Sequence, residues 1–177
     1  ALLLGRLSGY PAAFGVVEFL RVRSTTLNAQ ILGHPFFRRV IRPREHGRIS
    51  GAFYFLLGVF MVLVLFPRHA VETGCLVMGF GDPAAFLVGS RWGRIPLLRG
   101  RSLEGTLAFA AAAFPAALAF RLALYPGSSL SWTLAYVGAA TGAGMLAEAL
   151  SGRLDDNVTV PLAACGACAA FAALWPG

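Results

Sequence analysis

The stretch Gly79-Phe80-Gly81-Asp82-Pro83-Ala84-Ala85-Phe86-Leu87-Val88-Gly89-Ser90-Arg91-Trp92-Gly93-Arg94-Ile95-Pro96-Leu97-Leu98-Arg99-Gly100-Arg101-Ser102-Leu103-Glu104-Gly105 decides how the chain reads. It places an Asp-Pro step inside an apolar run, four arginines in a glycine-spaced loop, and a glutamate at the head of the next apolar run. A residue before proline is pushed out of the α region, so Asp82 is predicted to sit at a helix break. Broken backbone at membrane depth survives only where protein or a watery cavity satisfies its polar groups. A carboxylate there is a functional candidate by default. Arg91, Arg94, Arg99 and Arg101 suit phosphate oxygens. Gly89, Gly93 and Gly100 would let backbone approach a ligand closely. The carboxylates Asp82 and Glu104 suit a divalent cation.

The rest of the chain sets this stretch in a membrane. Hydrophobic residues make up 57% of the 177 residues, above the roughly 45–50% of soluble domains. Charged residues are 13%, about half the usual ~25%. Apolar runs of spanning length fall at about 2–20, 49–66, 71–90, 106–125, 131–150 and 158–175, the first being the weakest. The expected architecture is all-α: a polytopic transmembrane bundle of about six spans in a single domain over residues 1–177. Asn28 to Ile41 mixes large apolar residues with arginines and is compatible with an interfacial helix between the first and second spans, with Pro35 as an interruption. The chain opens at Ala1 inside an apolar run, as a chain lacking an upstream helix would. Residues 1–20 contain Arg6, Gly9, Pro11 and Glu18 and do not read as a signal peptide.

The net charge is +7 and every basic residue is arginine. In a soluble protein this would point to nucleic acid. Here the arginines gather between apolar runs, and no basic-aromatic surface accompanies them. The loops after runs one, three and five hold seven, four and one arginines, and the loops after runs two and four hold one each, Arg68 and Arg121. The positive-inside bias assigns the first set to the cytoplasm. Glu18, Glu45, Glu104, Glu148, Asp155 and Asp156 lie at or near the same ends, and Asp82 lies on the run that leads there. The site is therefore expected on the cytoplasmic side of a multi-pass protein of a bacterial or archaeal cell membrane. Charge inside a bilayer is costly, so Glu18, Asp82 and Glu148 are predicted to face the bundle interior.

Several residues have plainer uses. Ser102 can cap the fourth run, with Glu104 placed well in its positive first turn. Asp156 or Asn157 can cap the sixth, with Pro161 near its start. The pair Asp155 and Asp156 repels itself, however, and a cap needs one carboxylate; a cation neutralising both is the sharper reading. Gly138 to Gly144 forms a small face suited to close helix approach. Cys165 and Cys168 have C-x-x-C spacing but no second ligand pair, so they read as small packing residues, as does Cys75. Pro115 is expected to kink the fourth run.

Gly81-Asp82-Pro83-Ala84-Ala85 with Gly89-x-x-x-Gly93-Arg94, followed by Arg101-Ser102-Leu103-Glu104-Gly105-Thr106, resembles the CTP-dependent lipid-alcohol kinases: dolichol or polyprenol kinase, phytol kinase and CTP-using diacylglycerol kinase. Further matches are Glu18-x-x-Arg21, Ser50-Gly51-Ala52-x-Tyr54, and Glu148 followed by Asp156-Asn157-x-x-x-Pro161. The family usually carries lysine where Arg101 stands, which exchanges a point charge for a planar fork. The resemblance implies CTP as phosphoryl donor, Mg²⁺ as cofactor, and a membrane lipid alcohol as acceptor. It implies triphosphate binding by Arg91, Arg94 and Arg101 with Gly93 and Gly105. It implies metal ligation by Asp82, Glu104 and Asp156, a nucleotide or metal contact for Asn157, and Asp82 or Asp155 as the base. Glu18, Arg21 and Glu148 are further candidates. The central motif pair also resembles phosphatidate cytidylyltransferases, but their His-Gly-Gly and Asp-Arg-x-Asp endings are absent. A transporter or scaffold would explain the helices and buried acids but not the convergence of acids and arginines. The acceptor alcohol and the oligomeric state are left open.

Overall fold

A computed structural model describes residues 2–35, 37, 41, 45–151 and 155–176, without the side chains of 2–10 and Arg99. Among these residues there are seven α-helices and no sheet: α1 (Leu2–Arg23), α2 (Thr25–Gly33), α3 (Gly51–Leu65), α4 (Arg68–Trp92), α5 (Leu103–Leu124), α6 (Leu130–Leu150) and α7 (Asp156–Leu174). All six apolar runs coincide with helices. Three of them, α4, α5 and α7, are long and apolar enough to cross a membrane. α3 is apolar but has 15 residues, and α1 and α6 have the length without the apolar composition. Of the expected interfacial helix, α2 accounts for the part up to Gly33. His34, before Pro35, is already extended with ψ 128, as the residue before a proline prefers. Phe36, Arg38, Arg39, Val40, Arg42, Arg44 and Arg153 lie outside the described residues.

The chain divides into two compact units, Ala1–Val64 and Leu65–Gly177. In the first, Ser24 caps α2 by accepting from the Leu27 amide at 3.2 Å. In the second, α4 to α7 close around one core. It is built from Ala70, Val77, Met78 and Ala85 of α4, Phe109, Ala113 and Ala117 of α5, Tyr136, Val137 and Ala140 of α6, and Val160, Ala164 and Cys168 of α7. Alanine is so frequent here because the backbones approach closely, as in membrane bundles generally.

The expected break at Asp82 does not occur: α4 runs from Arg68 to Trp92 with Pro83 inside it. Proline in a helix removes one donor, here the one that would reach the Gly79 carbonyl, at a cost of about 3 kcal/mol. Packing on both sides outweighs that cost, since Gly81 and Ala85 flank Pro83 and are both buried. α5 likewise continues through Pro115.

Glycine sets the helix crossings. A Cβ on Gly81 would lie 2.5 Å from the Phe109 ring, and one on Gly144 2.9 Å from Val77. Gly142 has nothing within 4 Å, so the small face of α6 is used for packing at Gly144 and not along its length. Cys165 packs against Gly74, and Cys165 and Cys168 are buried thiols. At Gly105 a Cβ would meet the Ala85 carbonyl oxygen at 2.9 Å and the Gly89 Cα at 3.2 Å. Both neighbours are backbone, so Gly105→Ala is expected to cost about 1–3 kcal/mol, read as a lowered thermal midpoint in detergent. An unchanged midpoint would show that α4 and α5 do not meet this tightly.

Arg121, counted above as a loop arginine, is 3% exposed in the last turn of α5. Its guanidinium lies 3.8 Å from the Tyr125 ring centre and 4.8 Å from that of Tyr136. Rings take the place of a carboxylate partner there. The Tyr125 hydroxyl in turn donates to Glu72 at 2.6 Å. This is the end of the bundle opposite the one where the sequence gathers its acids.

Candidate functional site

The link between α4 and α5 doubles back on itself. The Leu97 amide donates to the Arg101 carbonyl at 2.8 Å and the Leu103 amide to the Ile95 carbonyl at 2.9 Å. Gly100, at φ 78, makes the reversal, a conformation that glycine adopts without strain. Ser102 then caps α5, accepting from the Gly105 amide at 3.2 Å. The Glu104 carboxylate accepts from the Ile95 amide at 3.2 Å and 3.3 Å. It therefore clamps the loop to the helix start.

This geometry changes the reading of the loop glycines. The Gly93 amide is committed to the Gly89 carbonyl at 3.1 Å, and a Cβ on Gly93 would meet Ser102 Oγ at 2.7 Å. Gly105 gives its amide to Ser102 and its missing side chain to the crossing with α4. Their small size is explained by helix packing, and neither amide is free for a phosphate. Glu104 likewise holds backbone and is not gathered with Asp82 and Asp156.

The folded loop delivers Arg101 to a group of acids. Its Nη1 lies 3.0 Å from Glu148 Oε1 on α6, and its Nη2 donates to Asp156 Oδ2 on α7. Glu148 is 2% exposed and also accepts from the Thr106 hydroxyl at 3.4 Å. Burial works to lower the Arg101 pKa. The hydrogen bond to Asp156 and the charges of Glu148, Asp156 and Asp82 more than offset this and raise it. One guanidinium thus bridges two helices and lies in the field of a third carboxylate, that of the half-buried Asp82 on α4. The planar fork allows this double contact; a lysine ammonium would meet it as a single point.

At the start of α7 the cap is Asp155, not Asp156 or Asn157. Asp155 Oδ1 accepts from the Asn157 amide at 3.0 Å and from Asn157 Nδ2 at 2.6 Å. Burial raises the Asp155 pKa above the ordinary aspartate value, and the nearby Asp156 adds to this against the two Asn157 bonds. The cap leaves Asp156 in the first turn, turned to Arg101. Arg91 and Arg94 are exposed at the end of α4 and beyond it, with Arg91 5.6 Å from the Trp92 ring centre.

Glu18 and Arg21 belong to the first unit and serve its packing. Arg21 Nε donates to Glu18 Oε1 at 3.0 Å, and Nη2 to Oε2 at 2.9 Å. The same guanidinium holds Asn28 Oδ1 at 2.9 Å and the Arg48 carbonyl at 2.6 Å. Glu18 Oε2 also accepts from the Ser50 amide at 2.8 Å, just ahead of α3.

Among the described residues no group of three or more His, Cys, Asp or Glu side chains converges to hold a metal ion. Mg²⁺ sites commonly need only one or two carboxylates, with substrate phosphates supplying the rest. Asp156 and Asp82 fit that donor chemistry, with Arg101 as the cation beside them. Thr106 went unassigned in the sequence, although it closes the quoted motif; only the fold shows that it faces Glu148.

No family model and no solved structure matches the chain. An uncharacterized protein of Rickettsia prowazekii (strain Madrid E) is 31% identical over 134 residues, covering 73% of this chain and 64% of that protein. CTP-dependent diacylglycerol kinase 1 of Schizosaccharomyces pombe is 30% identical over 142 residues, covering 71% of this chain and 64% of that protein. The chain thus spans 64% of the length of each relative.

Proposed function

We propose that the chain is a CTP-dependent lipid kinase domain, which moves the γ-phosphoryl group of CTP onto the hydroxyl of a membrane lipid alcohol and releases CDP. The likeness to a CTP-dependent diacylglycerol kinase supports a nucleotide donor and a lipid acceptor. The observation that carries the reading is the convergence of Arg101, Glu148 and Asp156, with the charge of Asp82, at one end of an apolar bundle. Phosphoryl transfer needs charge neutralisation and in-line positioning more than covalent chemistry. Those groups supply the first, and helices packed at backbone distance supply the second.

In this mechanism Arg91 and Arg94, both exposed, meet the incoming triphosphate. Arg101 is shared between its carboxylates and the phosphates. Asp82 and Asp156 would hold Mg²⁺, whose charge would neutralise that of the phosphate oxygens. Asp82 or Asp155 accepts the proton of the attacking hydroxyl. A raised pKa suits Asp155 to that task, because a base works best with a pKa near the working pH. Asn157 fixes the Asp155 carboxylate and so orients it. The acceptor keeps its apolar part in the bilayer and brings its hydroxyl to the cytoplasmic end, where soluble CTP arrives.

The test is direct. The purified protein in nanodiscs, given Mg²⁺ and γ-labelled CTP, is expected to label a lipid alcohol from a panel of diacylglycerol, phytol and polyprenol. CDP is the expected co-product. Release of pyrophosphate with a CDP-lipid product would instead mean cytidylyl transfer to phosphatidate. Failure to bind CTP with Mg²⁺ at all would leave a transporter or scaffold.

A further inference from the structure

Two of the roles proposed above fall on the two halves of one ion pair. Arg101 is to meet phosphate and Asp156 is to hold a divalent cation, yet Arg101 Nη2 donates to Asp156 Oδ2. The atoms that would serve the two ligands are spent on each other. Phosphate and Asp156 compete for one edge of the guanidinium, while the cation and Arg101 compete for one carboxylate.

The two contacts of Arg101 are not alike. Glu148 is deep: its side chain is 2% exposed, with Oε1 at 3.0 Å from Arg101 Nη1 and Oε2 accepting from the Thr106 hydroxyl at 3.4 Å. Asp156 lies in the first turn of α7 with its side chain 22% exposed, and that of Arg101 is 27% exposed. A ligand from solvent therefore approaches the pair on its Asp156 side. Charge points the same way. One guanidinium stands in the field of three carboxylates, Glu148, Asp156 and Asp82, which leaves a formal charge of −2. The spare N–H groups of Arg101 do not make such a cluster attractive to a polyanion. Releasing Asp156 from the pair to a divalent cation does.

We propose that Arg101 and Asp156 block each other until a divalent cation and a polyphosphate arrive together. Asp156 then passes to the cation, Arg101 passes to the phosphates, and Glu148 keeps the guanidinium in place. The nature of the two ligands rests on the kinase reading; the ion pair that must open does not. Either ligand alone has to break the pair unaided, so each binds weakly alone and each strengthens the other.

The test applies each ligand alone to the full chain in phosphatidylcholine nanodiscs. Inorganic triphosphate in EDTA is the first probe. Asp156→Ala is expected to tighten its binding about tenfold or more, because a charge-assisted contact becomes available. Asp156→Asn reads the same change more weakly if the alanine variant does not fold. The gain should vanish when Asp156→Ala is made in Arg101→Gln/Glu148→Gln, where no guanidinium is left to release and no Glu148 charge is stranded. A gain that persists there would reflect only the lost negative charge and would overturn the proposal, as would no gain with Arg101 present. Mn²⁺ without nucleotide, followed by its paramagnetic resonance, is the second probe. Arg101→Gln/Glu148→Gln removes one charge of each sign, yet it should tighten Mn²⁺ binding about tenfold by freeing Asp156. Unchanged Mn²⁺ binding would also overturn the proposal. Gains in both arms, with no binding of CTP and Mg²⁺ by the unaltered chain, would retain the blocking pair and reject the kinase. Binding of CTP with Mg²⁺ and no gain in either arm would do the opposite.

Discussion

Arg101→Ala is expected to destabilise the protein by about 3 kcal/mol, even before any substrate is added. Removing one partner of a buried ion pair strands the other, at a cost of about 3–5 kcal/mol. The lower end applies because the Arg101 side chain is 27% exposed, while that of Glu148 is 2% exposed. The loss belongs to the stranded Glu148 charge, so Glu148→Gln in the same chain should recover most of it. Arg101→Lys should fall between, keeping the charge but not the double contact with α6 and α7. Thermal unfolding of the four proteins in detergent gives the comparison. Equal midpoints for Arg101→Ala with and without Glu148→Gln would mean that Arg101 does not neutralise Glu148. On the kinase reading, Arg101→Ala also loses phosphate contact, so its CTP requirement rises further than its instability explains.

Asp82→Asn is expected to lower phosphoryl transfer by about 10²–10⁴-fold, the range for a positioned acid or base, with little change in unfolding. The exchange keeps the shape of a half-buried side chain on α4 and removes one of the carboxylates whose field acts on Arg101. Single-turnover transfer from labelled CTP, measured beside a melting curve, separates chemistry from folding. Wild-type turnover in this variant would take Asp82 out of the site and move the base to Asp155.

Much of the fold was legible because each helix carries its own signal. The six apolar runs became helices, and Ser102 caps α5 as its place before Leu103 and Glu104 implied. The Asp-Pro step misled because the local preference of Asp82 is smaller than the packing of Gly81 and Ala85 around it. Glycine was ambiguous for a different reason. A missing Cβ serves a ligand or a neighbouring helix equally well, and only the fold shows Gly93 and Gly105 used for the second. The partners of Arg101 were out of reach, since Asp156 is 55 residues away and local periodicity carries nothing over that distance. Asp155, Asp156 and Asn157 can each cap a helix. Which one does so is settled by how α7 turns Val160, Pro161 and Ala164 inward.

The unbroken passage of α4 through Pro83 has a consequence for how this chain can change over time. Gly74, Gly81 and Asp82 ride on one rod, so the carboxylate is indexed to the packing surface as a tooth is to its gear. Inserting one residue between Gly74 and Asp82 would advance the carboxylate by about 1.5 Å and rotate it by about 100°. That swings it off the face from which its charge acts on Arg101. A hinge at Asp82 would have absorbed such a change, whereas a continuous helix transmits it whole. This segment can therefore drift in composition, but insertions and deletions within it should be purged.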